Sequence, residues 1–223
     1  AIAAAPIYNN EGVVVITPSA TSPALTEGKN FHFIFRTIGR DDQQGPAAAK
    51  FIINKAKPKK VAVLHDKQSY GQGIAASVRD ELKKANVDVA LFEGINAGDS
   101  DYSAIITKLK GAGVDFVYYG GYHPEMGLLL RQAAEQGLKV KMMGPEGVGN
   151  PEVNAIAGPA VEGMLVTLPA DFAANPKNAA VVKAFADKKR NASGAFQLTS
   201  FAATQALLAA IKGAGDNPAK VAD

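Results

Sequence analysis

Short runs of β-branched and apolar residues alternate along this chain with longer segments whose apolar positions recur at helical spacing. VVVIT (13–17) and FHFIFRT (31–37) predict strands, the second with aromatic or aliphatic residues at alternate positions. A regular series follows: KKVAVLHD (59–66), DVALFEGI (88–95), DFVYYGG (115–121), VKMMG (140–144) and MLVTL (164–168). Helical stretches are predicted near 44–55, 71–85, 102–110, 124–136 and 151–156. Pro124 suits a first helical turn, and Gly111 and Gly137 are expected just past helix ends.

Five strands joined by crossover helices make a parallel sheet covered on both faces. Residues 41–169 are therefore predicted to form a self-contained doubly wound α/β unit. The flanks, 1–40 and 170–223, hold one or two strands and several helices, too little to complete a sheet. They are expected to belong to a second domain most of whose strands lie outside this sequence. The ends fit that expectation. AIAAAPIYNN lacks the charged-then-apolar order of a signal peptide, and DNPAKVAD stops as a helix begins after Asn217-Pro218, as in a processed chain or a piece of a longer one.

Composition narrows the function. The 223 residues include 24 Lys+Arg and 21 Asp+Glu, a formal charge of +3 that is too small and too evenly spread for a surface that tracks nucleic-acid phosphates. Lys55, Lys57, Lys59 and Lys60 form the one basic cluster and read as a solvated helix-to-strand connection. The absence of Cys excludes a disulfide framework and a thiolate-ligated metal. The longest charge-free stretch, 191–211, is interrupted by Gln197, Thr199, Ser200, Thr204 and Gln205, so it predicts no membrane span. It predicts instead a helix buried on more than one side.

In open α/β sheets ligands bind beyond the carboxyl ends of the strands. There the sequence delivers Ser19 and Thr21 after the first strand, Tyr70 after KKVAVLHD, Tyr122 and His123 after DFVYYGG, and Glu146 after VKMMG. Each has an ordinary alternative: loop or cap residues for Ser19 and Thr21, packing for the tyrosines, an exposed turn for Glu146. The set contains no nucleophile–base pair. Gly71-Gln72-Gly73-Ile74-Ala75-Ala76 matches a dinucleotide fingerprint, with Glu93 following at 93 − 73 = 20 residues. Six residues, His65 to Tyr70, intervene where the first Gly should meet the strand end, so no NAD is expected. His32, His65 and His123 are read as core or cap residues and no metal is expected. Asp99-Ser100-Asp101 is read as a helix N-cap.

The segments ITPSATSPALT (16–26), FRTIGRDDQQGPAAAKFI (35–52), VLHDKQSYGQGIA (63–75), DFVYYGGYHPEMGLLLRQA (115–133) and MGPEGVGN (143–150) resemble the branched-chain amino-acid binding proteins of bacterial ABC transporters, and within them the leucine/isoleucine/valine-binding group. The similarity runs along essentially the whole chain and is dense in the loops. It implies a periplasmic-binding-protein-like two-lobe α/β fold with doubly wound parallel sheets. Residues 41–169 would be the second lobe, and 1–40 and 170–223 parts of an incomplete first lobe. A family loop that supplies another Ser would lie upstream of Ala1.

The resemblance also implies the function. Such a protein is periplasmic and monomeric, binds a free branched-chain or other small aliphatic amino acid between its lobes, and delivers it to the membrane permease of an ABC transporter without cofactor or catalysis. Ser19 matches a position, often Ala in the family, whose backbone carbonyl accepts from the ligand ammonium. Thr21 matches the Thr whose N–H and hydroxyl hold the α-carboxylate and ammonium. Glu146 matches the acid that pairs with the ammonium, and Tyr70, Tyr122 and Phe196 match aromatic residues around the ligand. An enzyme is the first rival reading, and the ligand-sensing domain of a receptor or regulator with the same architecture is the second.

Overall fold

The computed structural model describes residues 1–215 and 217–223. In chain order its regular elements are α1 (Ala5–Asn10), β1 (Val15–Thr17), β2 (Ile34–Arg36), α2 (Asp41–Phe51), β3 (Val61–His65), α3 (Ser69–Lys84), β4 (Val89–Gly94), α4 (Ser103–Ala112), β5 (Phe116–Gly120), α5 (His123–Glu135), β6 (Lys141–Gly144), α6 (Glu152–Ala157), β7 (Leu165–Val166), α7 (Ala179–Asp187), α8 (Gln197–Ala214) and α9 (Pro218–Ala222). The chain divides into two compact units. Unit 1 comprises Ala1–Arg40 with Pro169–Asp223, and unit 2 comprises Asp41–Leu168.

In unit 2 the strands pair in the order β4-β3-β5-β6-β7, all parallel. Every residue of β3 and β5 is buried, as expected where helices cover both faces. Successive side chains alternate between those faces. Ala62, Leu64, Val117 and Tyr119 pack with Ile106, Leu109, Met126 and Leu129 of α4 and α5. Val61, Val63, Phe116 and Tyr118 pack with Ile52, Val78 and Leu82 from the α2 and α3 side. Each fully buried aliphatic side chain stabilises the unit by about 1.5–3 kcal/mol.

The connections follow equally local rules. A π-helical turn, Ile52–Ala56, continues α2 and stops at Lys57, which has φ +48°. Asp115 accepts the backbone N–H groups of Lys59 and Lys60 at 2.9 and 3.0 Å, tying the entrance of β3 to that of β5. Burial pushes the Asp115 carboxyl up, but those N–H groups outweigh it and hold the carboxyl below its ordinary range. Gly111 lies inside α4, contrary to expectation; Gly113, at φ +64°, is the residue that ends it. The capping expectation for residues 99–101 also needs correction. Tyr102 occupies the N-cap position of α4, while Asp101 accepts the Ser103 N–H at 2.8 Å from one residue earlier.

Unit 1 has a sheet of two parallel strands, with Val15 opposite Ile34. Both strands are shorter than their apolar runs. Its apolar cluster of Ala5, Leu25 and Ile34 is joined by partly buried Val15, Ala20 and Phe31. The long helix α8 forms, but it is not buried on more than one side. Leu198, Thr199 and Ala203 are buried near its amino end, whereas Leu208 is 55% and Ile211 42% exposed. Apolar composition led to the wrong expectation because a two-stranded sheet offers little surface to cover such a helix. His32 is likewise exposed rather than a core or cap residue, 3.3 Å from Asp223.

Candidate functional site

The sheet of unit 2 has a topological switch point. The chain leaves β3 for β4 on one side and returns to β5 on the other, so the connections after β3 and β5 diverge and leave a crevice at the carboxyl ends. Tyr70 sits in the first turn of α3, after β3. Tyr122 is the N-cap residue of α5, after β5, and Glu146 follows β6.

These three side chains come together. The Tyr70 hydroxyl donates to Glu146 Oε1 at 2.8 Å, and the Tyr70 and Tyr122 rings lie 5.3 Å apart, tilted by 39°. Glu146 is 5% exposed, so it is a buried acid rather than an exposed turn residue, and Tyr122 is 42% exposed. Burial and then the Glu146 charge push the Tyr70 phenol far above its ordinary pKa, which keeps it a neutral donor. Burial raises the Tyr122 phenol too, followed by the charges of Asp66, Glu146 and Asp41. A buried carboxylate beside two aromatic rings is suited to an ammonium group.

Backbone geometry makes this approach possible. A Cβ on Gly147 would meet the Gly121 carbonyl oxygen at 2.6 Å, and Tyr70 Cε1 and Tyr122 Cδ1 at 3.1 and 3.2 Å. Only glycine lets the turn after β6 lie this close to both rings. Gly71 lies inside the first turn of α3, where a Cβ would collide with Asp66 and the Gly120 carbonyl. The fingerprint-like glycine thus serves close helix–strand packing.

Gln44 on α2 is a residue that the sequence did not single out. Its Oε1 accepts the Glu146 N–H at 3.3 Å and the Thr167 hydroxyl at 2.8 Å, bracing the turn that carries the acid. A glutamine acting across 102 positions leaves no local pattern; only its place opposite the ends of β6 and β7 could have drawn attention. Asp66 and His65 lie at the end of β3. Asp66 Oδ1 accepts the Gln68 N–H at 2.9 Å, and its carboxyl is pushed up by burial first, then by the Glu125 charge. His65 Nδ1 accepts the Lys67 N–H at 3.1 Å, and burial lowers its pKa, which favours the neutral ring.

Unit 1 presents the other expected residues. Thr17, the last residue of β1, accepts the Ala20 N–H on its hydroxyl at 3.0 Å and so shapes the turn containing Ser19. Ser19 is exposed and Thr21 buried. Thr37, just beyond β2, donates its hydroxyl to the Thr199 carbonyl at 2.9 Å, while Thr199 donates to the Phe196 carbonyl at 3.0 Å. These bonds hold the amino end of α8, and with it the half-buried Phe196, at the edge where the chain leaves β2. Among the described residues, no group of three or more metal-ligating side chains is placed to hold a metal ion, and no helix is long and apolar enough to cross a membrane.

Comparisons with known proteins put this geometry in a family. The family model described as periplasmic binding protein matches residues 1–223. The chain is 56% identical over 218 residues to the leucine-, isoleucine-, valine-, threonine-, and alanine-binding protein of Pseudomonas aeruginosa, covering 97% of this chain and 58% of that protein. It is 50% identical over 219 residues to the Leu/Ile/Val-binding protein of Escherichia coli, covering 98% and 59%. The chain therefore spans under three fifths of the length of these relatives.

Among solved structures, the leucine binding protein LivK of Thermotoga maritima superimposes with a TM-score of 0.89 at 30% identity, covering 98% of this chain and 63% of that one. The branched-chain amino acid binding protein LivJ of Streptococcus pneumoniae, in complex with isoleucine, gives 0.86 at 26% identity, covering 100% and 63%. These superpositions support the α/β periplasmic-binding-protein-like fold expected from the sequence. A parallel sheet whose switch point gathers a buried acid and two tyrosines, and a family match along its whole length, lead to one conclusion: this chain belongs to the periplasmic binding protein family.

Proposed function

We propose that this chain is part of a periplasmic solute-binding protein that reversibly binds a branched-chain or other small aliphatic α-amino acid and delivers it to the permease of an ABC transporter. Unit 2 corresponds to the second lobe and unit 1 to parts of the first. The protein acts as a monomer, uses no cofactor and carries out no chemistry.

The observation that carries this reading is the pairing of Tyr70 with the buried Glu146 at the switch point, beside the Tyr122 ring. A free amino acid presents an ammonium, a carboxylate and a side chain. We assign the ammonium to Glu146 and the Ser19 carbonyl, and the carboxylate to the N–H and hydroxyl of Thr21. The aromatic surroundings are assigned to Tyr70, Tyr122 and Phe196. Charge-assisted hydrogen bonds of this type are strong once water is excluded. The side chain needs only apolar walls, where each buried CH₂ contributes about 0.8 kcal/mol. The names of the relatives, which include threonine and alanine beside the branched-chain residues, support a site tolerant of small aliphatic ligands.

Titration calorimetry on the complete protein carrying this sequence tests the reading. Leucine, isoleucine or valine should bind with saturable heat at a one-to-one ratio, and their α-keto analogues, which lack the ammonium, should bind far more weakly. No heat with any of the amino acids would overturn it.

A further inference from the structure

Arg36, the last residue of β2, reaches across to the segment that follows β1. Its Nη1 donates to the Ala20 carbonyl at 2.9 Å, and its Nη2 donates to the Ser22 carbonyl at 3.1 Å and to the Thr26 hydroxyl at 2.7 Å. The two carbonyls belong to the neighbours of Thr21 on either side. One rigid, planar cation therefore clamps the three-residue stretch at whose centre Thr21 lies.

The peptide plane turns this clamp into an aiming device. The Ala20 carbonyl and the Thr21 N–H share one trans peptide unit and point in opposite directions. Holding that carbonyl against the guanidinium directs the Thr21 N–H away from Arg36. The guanidinium charge beside the carbonyl oxygen also polarises the same amide and makes its N–H a better donor. Thr17 fixes the preceding peptide through the Ala20 N–H. Two flanking side chains thus brace this loop, which has little regular structure of its own: a single short 3₁₀ turn at Pro23–Leu25.

We infer that Arg36 is a positioning residue for the carboxylate end of the ligand, acting through Thr21 without touching the ligand. The inference rests on the assignment of Thr21 under the proposed function.

The test is a double-mutant cycle on the complete protein, with leucine affinity read by calorimetry and stability by thermal unfolding without ligand. Arg36→Met should weaken leucine binding about tenfold or more, as expected for losing hydrogen bonds to a charged group. Thr21→Val should weaken it as well. The double variant should lose clearly less than the product of the two single losses, because the clamp holds the stretch that aims the Thr21 hydroxyl as well as its N–H, so a hydroxyl already misdirected by Arg36→Met has less left to lose. Arg36→Lys should recover part of the affinity, since an ammonium can still donate to the carbonyls.

A merely structural arginine would lower the unfolding temperature and give losses that multiply with those of Thr21→Val. Multiplying losses, or an Arg36→Met affinity within about twofold of the parent, would overturn the inference. Should Arg36→Met fail to fold, Thr26→Val removes one of the three bonds and keeps the arginine. It should then cost about two- to fivefold in affinity, and an unchanged affinity overturns the inference. A parent protein that binds no amino acid defeats the functional assignment itself, and is distinguishable from a binding parent with an indifferent Arg36.

Discussion

Unit 2 covers a five-stranded sheet on both faces, whereas unit 1 has a pair of three-residue strands and a small apolar cluster. The two therefore hold their site residues by different means. In unit 2 the turn bearing Glu146 leans on buried strands, a glycine close approach and one glutamine. In unit 1 the loop bearing Thr21 is braced by polar side chains: Thr17, Arg36 and, further along, Thr37. Packing supports the first, and directional hydrogen bonds support the second. The contrast shows how polar side chains brace a loop by giving its carbonyls and N–H groups fixed partners.

The largest expected effect is on autonomous folding. Residues 41–168 expressed alone should unfold cooperatively in urea, with a stability in the usual range of about 5–15 kcal/mol. A construction joining 1–40 to 169–223 should show no such transition. Circular dichroism of both would break the comparison if the second unfolded as sharply as the first.

Single truncations sharpen it. In this 223-residue chain, Leu109→Ala, in the core of unit 2, should cost about 2–5 kcal/mol, whereas Leu208→Ala, on the exposed part of α8, should change stability by no more than about 0.5 kcal/mol. Equal losses in urea denaturation would contradict the burial difference. Gly147→Ala should cost about 1–3 kcal/mol through overpacking against the Gly121 carbonyl, and should move the ring proton resonances of Tyr70 and Tyr122. Unmoved resonances would show that the close approach is dispensable.

The smallest effect is a pH dependence. Burial raises the Asp66 carboxyl above its ordinary value, so the folded state binds that proton more tightly than the unfolded chain. This contribution favours folding at low pH. It is lost as pH rises from the ordinary aspartate value near 3.8 through the raised folded value, and is constant above. Asp66→Asn, which can still accept the Gln68 N–H, should match the parent at low pH and gain stability on it towards neutrality. A difference that shrinks with rising pH would contradict the assignment.

Much of unit 2 was legible in the sequence because its strands are buried on both faces. VAVLH and FVYYG announce themselves as uninterrupted apolar runs, and Pro124 marks the start of α5. The neighbourhood of Tyr70 and Glu146 was visible only as a shared sheet edge. Their hydrogen bond spans 76 positions and depends on strand order, which periodicity does not encode. Gln44 and Arg36 were invisible for the same reason. The burial of α8 was misjudged because a helix's composition says what it could bury, not whether a neighbour is there to receive it.

The central claim is that Glu146 holds the ammonium of an amino acid. Titration of Glu146→Gln with leucine, beside the parent, tests it most directly. Glutamine keeps the size and can still accept from Tyr70, but it lacks the charge. The account predicts a loss of affinity of about a hundredfold, as for removing one partner of a desolvated charge pair, with the unfolding midpoint nearly unchanged. An affinity within about twofold of the parent would contradict it.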